Sequence, residues 1–377
     1  MRPALADKAE LRVLAKSCAR VLVVTGSSGG HIFPALSFID TLKEKQKNSD
    51  VLLVIPSGSI KAGILTDSCR IEYISISPIR LSLEFRNLAA IFGFLKGSLE
   101  SLILLLKFRP EIVVGFGSLN CIPLVLLARL FRIKTLIHEQ NVIPGRANRL
   151  LARFSDRIAI SFPETRDYLK VNPKRIVLTG NPIRRGLKRI DKGIALSFFG
   201  FDAGKLTVLV AGGSQGSHRI NMSFLKAVSM ISGACRMQVI HLTGVNDYDI
   251  LNKGYGGINT KAKLFTFLKE MQYAYSAADL VISRAGATTV SELISFRLPA
   301  IVVPYPFAYK HQLSNAQVLE RMGTAIIIND NELDADILRP TLLNFMDNPR
   351  KIDLMRSRYD GVCVPDANTL LLDAAIS

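Results

Sequence analysis

Short runs of aliphatic and β-branched residues alternate with helix-length segments along nearly the whole chain of 377 residues. Strand, helix and strand in that order predict parallel sheets covered by helices on both faces. The candidate strands of a first series are Val21–Thr25, Val51–Ile55, Ile71–Ile76, Ile112–Val114, Thr135–His138, Ile158–Ile160 and Ile176–Thr179. Those of a second series are Leu206–Ala211, Gln238–Leu242, Leu264–Phe267, Leu280–Ser283, Ala300–Val303 and Ala325–Ile328.

Both series open with a strand that runs into a glycine-rich turn. The first turn reads Gly26-Ser-Ser-Gly-Gly-His31, and the second reads Gly212-Gly-Ser-Gln-Gly216. Their first glycines lie 186 residues apart, about half of the chain. This spacing predicts an α/β protein with two Rossmann-like domains facing each other across a cleft. The turn signal Gly180-Asn-Pro-Ile-Arg184 predicts domains 1–181 and 182–352, with the ligand at the carboxyl ends of the strands.

Composition narrows the class of protein. A hydrophobic content of 49% excludes a disordered chain, and the formal net charge of +17 favours a phosphate-bearing partner. Five cysteines without a C-x-x-C pair favour a reducing compartment over a disulfide framework or a zinc site. The first 20 residues lack the apolar core of a secretory signal, so we expect a cytoplasmic protein.

Two apolar stretches raise the question of a membrane. Ile112–Ala128 carries no charge but contains glycine, asparagine and proline, which favours a buried strand, a loop and the start of a helix. Leu81–Leu106 is interrupted by Glu84, Arg86, Lys96 and Glu100. We therefore expect neither stretch to span a bilayer, and the second to lie on a membrane surface.

The glycine turns favour binding of an anion by backbone N–H groups at a helix N-terminus. Neither turn matches G-x-G-x-x-G, which argues against a dinucleotide oxidoreductase. Gly212–Gly216 does match the G-x-S-x-G nucleophile elbow, so a hydrolase with Ser214, Asp247 or Asp279, and His311 stays open as an alternative.

Further polar groups follow other strands. Gly286–Glu292 predicts a second helix N-terminus for a phosphate, with Glu292 placed to accept the two hydroxyls of a ribose. In the loop Pro304–Asn315, Gln312 and Asn315 are candidates for reading sugar hydroxyls. His138–Asn141 brings four hydrogen-bonding side chains to a strand end. His31, just inside the first helix, is a candidate neutral base.

These motifs occur in one order along the chain, and in that order the sequence resembles the MurG family of glycosyltransferases from about Val21 to Ala367. The resemblance implies a GT-B fold and the inverting transfer of N-acetylglucosamine (GlcNAc) from UDP-GlcNAc to the muramoyl 4-hydroxyl of lipid I. Lipid I is undecaprenyl-diphospho-MurNAc-pentapeptide, and the product is lipid II for peptidoglycan synthesis. The implied partners are these two substrates and the cytoplasmic face of an anionic membrane, without nucleic acid. The resemblance also implies that the C-terminal helix, about residues 353–377, belongs to the first domain.

Residue by residue, the resemblance implies His31 and Glu139 as catalytic residues, with His31 as the general base. Ser28, Gly29 and Gly30 would form a loop that faces a diphosphate, and Leu268 would lie against uracil. The remaining residues implied in donor binding are Asn141, Arg184, Ser214, Ala287, Thr288, Thr289, Val290, Ser291, Glu292 and Gln312. No Asp-x-Asp motif stands beside these loops, so we expect a reaction without metal or other cofactor.

The sequence departs from the family in two loops. Ser27 and Ser28 replace Gly and Thr of the usual Gly-Gly-Thr-Gly-Gly-His, and Gly117-Ser-Leu119 replaces the usual Gly-Gly-Tyr. Both loops face the acceptor in the family. A transferase with another lipid acceptor, such as diacylglycerol, therefore stays an alternative, as does a lipid-binding protein without turnover.

Overall fold

The computed structural model describes residues 19–57, 69–75, 86–213, 216–231, 233–307, 311–362 and 366–377, without the side chains of residues 86–91. The chain forms two compact units. The first contains the described residues up to Gln140, residues Pro144–Arg184 and the C-terminal helix. The second contains Asn141–Ile143 and the chain from Arg185 onward.

The first unit is built on a seven-stranded parallel sheet of order β3-β2-β1-β4-β5-β6-β7. Its strands are β1 (Arg20–Val24), β2 (Asp50–Pro56), β3 (Arg70–Ile74), β4 (Ile112–Gly115), β5 (Lys134–Glu139), β6 (Arg157–Ile160) and β7 (Ile176–Leu178). Its helices are α1 (Gly29–Lys45), α2 (Arg86–Phe108), α3 (Cys121–Leu130), α4 (Arg146–Leu151) and, at the C-terminus, α13 (Ala367–Ile376). The 3₁₀ helices Pro163–Tyr168 and Pro173–Arg175 also belong to this unit.

Alternate residues of β1 enter two separate cores. Val21 and Val23 pack with α1 and α13 on one face, while Leu22 and Val24 pack with α2 and α3 on the other. Strands buried on both faces need continuous apolar runs, which explains why the sequence pattern located them.

The second unit has a six-stranded parallel sheet of order β10-β9-β8-β11-β12-β13. Its strands are β8 (Leu206–Ala211), β9 (Met237–Leu242), β10 (Lys261–Phe265), β11 (Leu280–Ser283), β12 (Ala300–Val302) and β13 (Ala325–Ile327). Its helices are α5 (Lys192–Phe199), α6 (His218–Ser229), α7 (Tyr248–Tyr255), α8 (Met271–Ala277), α9 (Ala287–Phe296), α10 (His311–Arg321), α11 (Ala335–Asp347) and α12 (Pro349–Ser357). Two 3₁₀ helices, Ala234–Arg236 and Asp330–Glu332, complete it.

The predicted fold class is confirmed: both units have the strand order of a doubly wound α/β domain, in which the first strand is central and the order reverses beside it. The largest shift concerns β10, predicted at Leu264–Phe267 and found at Lys261–Phe265. This strand lies at the sheet edge, and its exposed residues include Lys261 and Lys263. Lysines on an edge strand prevent it from pairing with another chain. Such a strand therefore lacks a continuous apolar run, and the apolar pattern alone locates it poorly.

The chain divides at Arg184–Arg185, three residues beyond the boundary expected from the sequence. Helix α12 groups with the second unit, and α13 with the first. Residues of helix α13 itself stabilise it. Asp366 caps the helix by accepting a hydrogen bond from the Thr369 N–H, and Leu371 is fully buried. Asn368 Nδ2 donates to the Ile183 carbonyl at 3.2 Å.

The stretch Ile112–Ala128 forms β4, a turn and the first part of α3, as the sequence predicted. Among the described residues, no helix is both long and apolar enough to cross a membrane. Residues 1–18 lie outside the described part of the chain. Residues 76–85 also lie outside it, and they include the start of the Leu81–Leu106 stretch.

Candidate active site

The first glycine turn joins β1 to α1 and holds the candidate base. Ser28 has extended backbone angles and is the N-cap of α1, whose first residues are Gly29 and Gly30. The first N–H groups of a helix have no partner inside it, so they are available to an anion. Ser28 Oγ lies 2.8 Å from Nδ1 of His31, one turn into the helix.

His31 is enclosed by backbone from two loops. A Cβ on Gly26 would lie 3.1 Å from Nδ1, and a Cβ on Gly117 would lie 3.4 Å from Nε2. Burial lowers the pKa of the imidazole to about 4, so His31 is neutral at pH 7. If Nδ1–H donates to Ser28 Oγ, Nε2 keeps its lone pair and can accept a proton. The geometry therefore provides a neutral base whose tautomer a neighbouring hydroxyl can set.

His138 and Gln140 act within the protein core. His138 is fully buried, and its Nε2 donates to the Gly180 carbonyl at 3.1 Å. Gln140 Nε2 lies 3.1 Å from His138 Nδ1 and 3.1 Å from the Phe116 carbonyl. Burial lowers the pKa of His138 to about 4, in keeping with a neutral ring that accepts at Nδ1. These contacts tie the ends of β4, β5 and β7 together.

Glu139 holds a loop. It is 2% exposed, and Oε2 accepts hydrogen bonds from the Gly145 N–H at 3.0 Å and from Asn148 Nδ2 at 2.8 Å. These bonds fix the segment between β5 and α4. The structure shows a positioning carboxylate here, and the catalytic role expected from the sequence stays a prediction.

Arg184 and Asn141 fall in different units. The Arg184 guanidinium lies over the ring of Phe33 on α1, 4.9 Å from its centroid, and its Nε is buried without a partner among the described residues. Asn141 groups with the second unit, where its Oδ1 accepts from Asn315 Nδ2 at 3.1 Å.

The second glycine turn follows β8, and Ser214 within it lies outside the described residues. The flanking backbone is tight, because a side chain on Gly216 would overlap the Thr243 carbonyl. Asn221 on α6 donates to that same carbonyl at 2.8 Å and to Asp247 Oδ2 at 2.8 Å. The loop after β9 is thereby fixed against the glycine turn.

A buried hydrogen-bond network on β9, α6 and α7 supports this contact. His241 Nε2 lies 3.1 Å from Asn221 Oδ1, and His241 Nδ1 lies 2.9 Å from the Tyr255 hydroxyl. The Asn221 oxygen can only accept, so Nε2 of His241 carries the proton, and in the neutral ring Nδ1 accepts from the Tyr255 hydroxyl. Burial lowers the pKa of His241 to about 3. Sequence reasoning missed this network, since its members lie on β9, α6 and α7.

The acid–base pair of the hydrolase alternative is not formed. Asp247 pairs with His218 at 2.8 Å, and Asp279 pairs with Lys192 and Arg356. His311 Nδ1 instead lies 2.9 Å from the Ile143 carbonyl. The pairing of His311 with Asp247 or Asp279 that this alternative requires is therefore absent among these described residues.

Arg284, directly after β11, joins three loops. It forms an ion pair with Asp330, and its Nη2 donates to Ser217 Oγ at 2.8 Å. Its guanidinium also donates to the Val303 carbonyl at 3.2 Å and lies 5.3 Å from the ring centroid of Tyr305. Asp330 neutralises the charge, so Arg284 positions the strand-end loops.

Helix α9 starts where the sequence predicted a phosphate site. Gly286 is its N-cap, with Ala287 and Val290 buried and Thr288, Thr289 and Ser291 partly exposed. Ser291 Oγ donates to the Ala287 carbonyl at 3.0 Å, so its hydroxyl is used within the helix.

Glu292 lies in the second turn of α9. It is 8% exposed, and its Oε2 accepts from the Tyr275 hydroxyl at 2.7 Å. That bond fixes the orientation of the carboxylate. Leu268, in the loop after β10, is also buried, with 5% exposed.

Gln312 and Asn315 on α10 differ in role. Gln312 is partly exposed, and its carbonyl oxygen accepts from the Tyr305 N–H at 2.9 Å, which leaves its amide group as the donor end. Asn315 is fully buried and is bonded to Asn141, the Val142 N–H and the Ala285 carbonyl. The expectation that Asn315 reads sugar hydroxyls is therefore wrong, because all of its polar atoms are engaged within the protein.

The described residues contain no group of three or more His, Cys, Asp or Glu placed to hold a metal ion. Within each unit, the polar residues gather at the carboxyl edge of a doubly wound sheet, next to a helix N-terminus. Two doubly wound domains of this kind, one with a buried neutral histidine and the other with a buried carboxylate near a helix N-terminus, are typical of the GT-B class of nucleotide-sugar transferases.

Comparison with known proteins identifies the family within that class. Residues 21–160 match the glycosyltransferase family 28 N-terminal domain, and residues 207–367 match the corresponding C-terminal domain. The chain is 34% identical to the UDP-N-acetylglucosamine--N-acetylmuramyl-(pentapeptide) pyrophosphoryl-undecaprenol N-acetylglucosamine transferase of Halothermothrix orenii, covering 94% of this chain and 97% of that protein. The enzyme of the same name from Listeria monocytogenes is 33% identical, with 95% and 99% covered.

A solved structure agrees with the sequence relatives. The crystal structure of Acinetobacter baumannii MurG aligns with a TM-score of 0.74 at 26% identity, covering 95% of this chain and 99% of that one. The chain therefore belongs to glycosyltransferase family 28 and, within it, to the MurG family of N-acetylglucosamine transferases.

The buried neutral histidine of the second unit predicts a pH effect on stability. Between pH 6.5 and 3 the unfolded chain binds a proton at His241 that the folded chain does not, so the free energy of unfolding falls as the pH falls. The slope is about 1.4 kcal/mol per pH unit for one such group. His241→Gln should reduce the slope measured by urea unfolding between pH 6 and 5 by about that amount.

Val239→Ala is the matched control for that experiment. Val239 is buried on the same strand, so the variant should lower stability while keeping the wild-type slope. An unchanged slope in His241→Gln would contradict the assignment of a neutral buried imidazole.

Proposed function

We propose that this enzyme transfers GlcNAc from UDP-GlcNAc to the MurNAc 4-hydroxyl of lipid I, with inversion at the anomeric carbon, to give lipid II. The observation that carries the proposal is His31, a neutral imidazole held beside the exposed N-terminus of α1. A transferase needs one base for the acceptor hydroxyl and charge stabilisation for the leaving diphosphate. Relatives named for this activity support both substrates.

The second unit has the chemistry for the donor. The N-termini of α6, after the second glycine turn, and of α9 present backbone N–H groups suited to a diphosphate. Glu292, held by Tyr275, is suited to a ribose diol, and Gln312 offers its amide group to the hydroxyls of the sugar. We assign UDP-GlcNAc to this domain, residues 185–362, with Leu268 near uracil.

The first unit has the chemistry for the acceptor. His31 Nε2 takes the proton of the 4-hydroxyl as that oxygen attacks the anomeric carbon, and UDP leaves from the opposite side of the sugar ring. Ser28, Gly29 and Gly30 offer a hydroxyl and backbone N–H groups to a diphosphate, and Arg184 adds a cation. The N-terminus of α1 and the Arg184 guanidinium are thus two sources of positive potential suited to a diphosphate.

Helix α2 provides a surface for a lipid-linked substrate. Its exposed large apolar residues recur at helical spacing along one stripe: Phe92, Leu95, Leu99, Ile103 and Leu106, all 42–69% exposed. Lys96 and Lys107 are exposed on the same helix. An apolar stripe beside cations is typical of a helix that lies in the interface of an anionic membrane. We assign this surface to the cytoplasmic face of the membrane, where UDP-sugars are available.

The proposed function is tested by radiolabelled transfer from UDP-GlcNAc to a short-chain lipid I analogue in EDTA, with a diacylglycerol acceptor in parallel. We expect product with lipid I alone. Transfer to diacylglycerol would indicate a glycosyltransferase of another pathway. Binding of UDP-GlcNAc without turnover on either acceptor would indicate a binding protein. Labelling by a serine-directed phosphonate would support a hydrolase.

Glu292→Ala should weaken binding of UDP-GlcNAc at least about tenfold, because a charged hydrogen-bond acceptor for two hydroxyls is lost. Titration calorimetry measures the effect. Glu332→Ala, a carboxylate on an exposed 3₁₀ helix of the same unit, is the control and should bind as the wild type does. Donor affinity within a factor of two in Glu292→Ala would remove the assigned role.

His31→Ala should leave UDP-GlcNAc binding unchanged and lower kcat by at least about a hundredfold, since a general base is removed. In the wild type, kcat/KM should fall only as the pH drops towards 4, because burial lowers the pKa of His31 to about 4. Ser28→Ala should lower kcat, because no hydroxyl then sets the tautomer of His31, and Ser28→Thr should restore it, as Thr keeps the hydroxyl next to Nδ1. An unchanged kcat in His31→Ala would contradict the assignment.

Replacing Leu95 and Leu99 together by Glu should reduce sedimentation with vesicles containing phosphatidylglycerol about tenfold or more, since apolar insertion is lost and charge repulsion added. The control is Ile194→Glu, which changes a residue 60% exposed on α5 in the other unit. Equal loss in both variants would indicate a general charge effect and contradict the assigned surface. Turnover of a water-soluble acceptor analogue should stay unchanged in all variants.

A further inference from the structure

The carboxylate assigned to the ribose is bonded to a residue of another helix. Tyr275 lies on α8, and its hydroxyl donates to Oε2 of Glu292 on α9 at 2.7 Å. The tyrosine is 4% exposed and the glutamate 8%. An O–H donor to an ionised carboxylate forms one of the stronger hydrogen bonds in proteins, and 2.7 Å is a length typical of it. This bond therefore restricts the rotation of the carboxylate.

The tyrosine is itself fixed by packing. Its ring centroid lies 5.1 Å from that of Phe296, the last residue of α9. The next residue of α8, Ser276, accepts a hydrogen bond from the Ile190 N–H at 3.1 Å. Helix α8 is thus attached on two sides, and the Tyr275 hydroxyl reaches Glu292 from a fixed position. Because Tyr275 is buried, its effect on a ligand passes through the carboxylate.

Helix α8 also connects the two parts of the proposed nucleoside site. The loop that contains Leu268, the residue assigned to uracil, leads directly into Met271, the first residue of α8. The hydrogen bond from Tyr275 then joins this helix to the ribose carboxylate on α9. The base side and the ribose side of the site are therefore parts of one connected arrangement.

A fixed carboxylate binds a diol at a lower cost than a mobile one. A glutamate side chain loses conformational entropy when a ligand orders it, and preorganisation removes that cost from binding. A carboxylate accepts several hydrogen bonds, so the bond from Tyr275 is compatible with hydrogen bonds from two ribose hydroxyls. Each hydroxyl then contributes more to affinity than it would with a carboxylate that the ligand had to order.

We propose that Tyr275 is a positioning residue that makes the donor site selective for ribonucleotides over 2′-deoxyribonucleotides. The proposal rests on the proposed function, which assigns Glu292 to the ribose diol. The 2′-hydroxyl is the group that separates the two classes of nucleotide, and its contribution depends on the orientation of the carboxylate. Without the tyrosine hydroxyl, binding of the 2′-hydroxyl has to order Glu292, and the selectivity falls.

Titration calorimetry of the full-length enzyme with UDP and with 2′-deoxy-UDP tests the proposal. The wild type should bind UDP at least about tenfold more tightly, as for one hydrogen bond to a charged group. Tyr275→Phe should raise the Kd of UDP about five- to tenfold and reduce the preference for UDP at least about threefold. In the transfer assay, the KM for UDP-GlcNAc should rise with kcat unchanged, because the ribose contact is the same in ground state and transition state.

Tyr359→Phe is the matched control. Tyr359 is also buried, and its hydroxyl donates to the Leu298 carbonyl, just beyond the end of α9, at 3.0 Å. Both substitutions remove a buried tyrosine hydroxyl that contacts the same part of the fold, so both should lower the Tm. Only Tyr275→Phe should change the affinity for UDP or its ratio to that for 2′-deoxy-UDP.

A double mutant tests whether Tyr275 acts through Glu292. In the Glu292→Ala background, Tyr275→Phe should change the Kd of UDP by less than about twofold, because the carboxylate that the tyrosine orients is gone. A full five- to tenfold effect in that background would overturn the inference.

Two further outcomes would overturn it and leave the proposed function intact. One is a Kd of UDP in Tyr275→Phe within a factor of two of the wild type. The other is an equal loss of affinity for UDP and 2′-deoxy-UDP, which would indicate a general distortion of the site. Absence of UDP binding by the wild type would instead reject the proposed function itself, and the inference with it.

Discussion

In a parallel sheet with helices on both faces, the carboxyl edge is the place where ligands bind, and the candidate site in each unit depends on that constraint. The central strands of both sheets are buried, and their backbone hydrogen bonds run within the sheet, so an unpaired polar side chain in the interior is costly. At the carboxyl edge the chain leaves each strand and enters a helix whose first N–H groups need partners. His31, Glu292 and the glycine turns all lie at such edges.

Around those edges the protein uses buried polar groups to fix loops. His138, Glu139 and Asn148 hold the loops of the first sheet, while Asn221 and Arg284 hold those of the second. Each of these side chains bonds to backbone or to a side chain on another element. A turn can bind an anion only if its N–H groups already point at the ligand, so under the proposed function this supporting layer preorganises the electrostatics of transfer. Removing one such group would leave its buried partner unpaired.

The site residues divide into those that a pattern can locate and those that it cannot. Ser28, His31, Gly286 and Glu292 follow directly from a strand, a turn and a helix start, and the structure places them as the pattern predicts. Asn315 does not: its spacing from Gln312 suggested a shared sugar-facing role, yet it is fully buried and bonded to Asn141. Helical spacing fixes which residues share a face, but only packing decides whether that face meets solvent or protein.

The sequence by itself determined the two doubly wound domains, their glycine turns and the family. Apolar runs in strands buried on both faces and the ordered motifs are local signals, readable within a few residues. Only the tertiary structure decided that Asn221 bonds to His241, that Arg284 is neutralised by Asp330, and that His138 bonds to the Gly180 carbonyl. Those relations join residues far apart in the chain, and they arise from strand order and register, which no local pattern encodes.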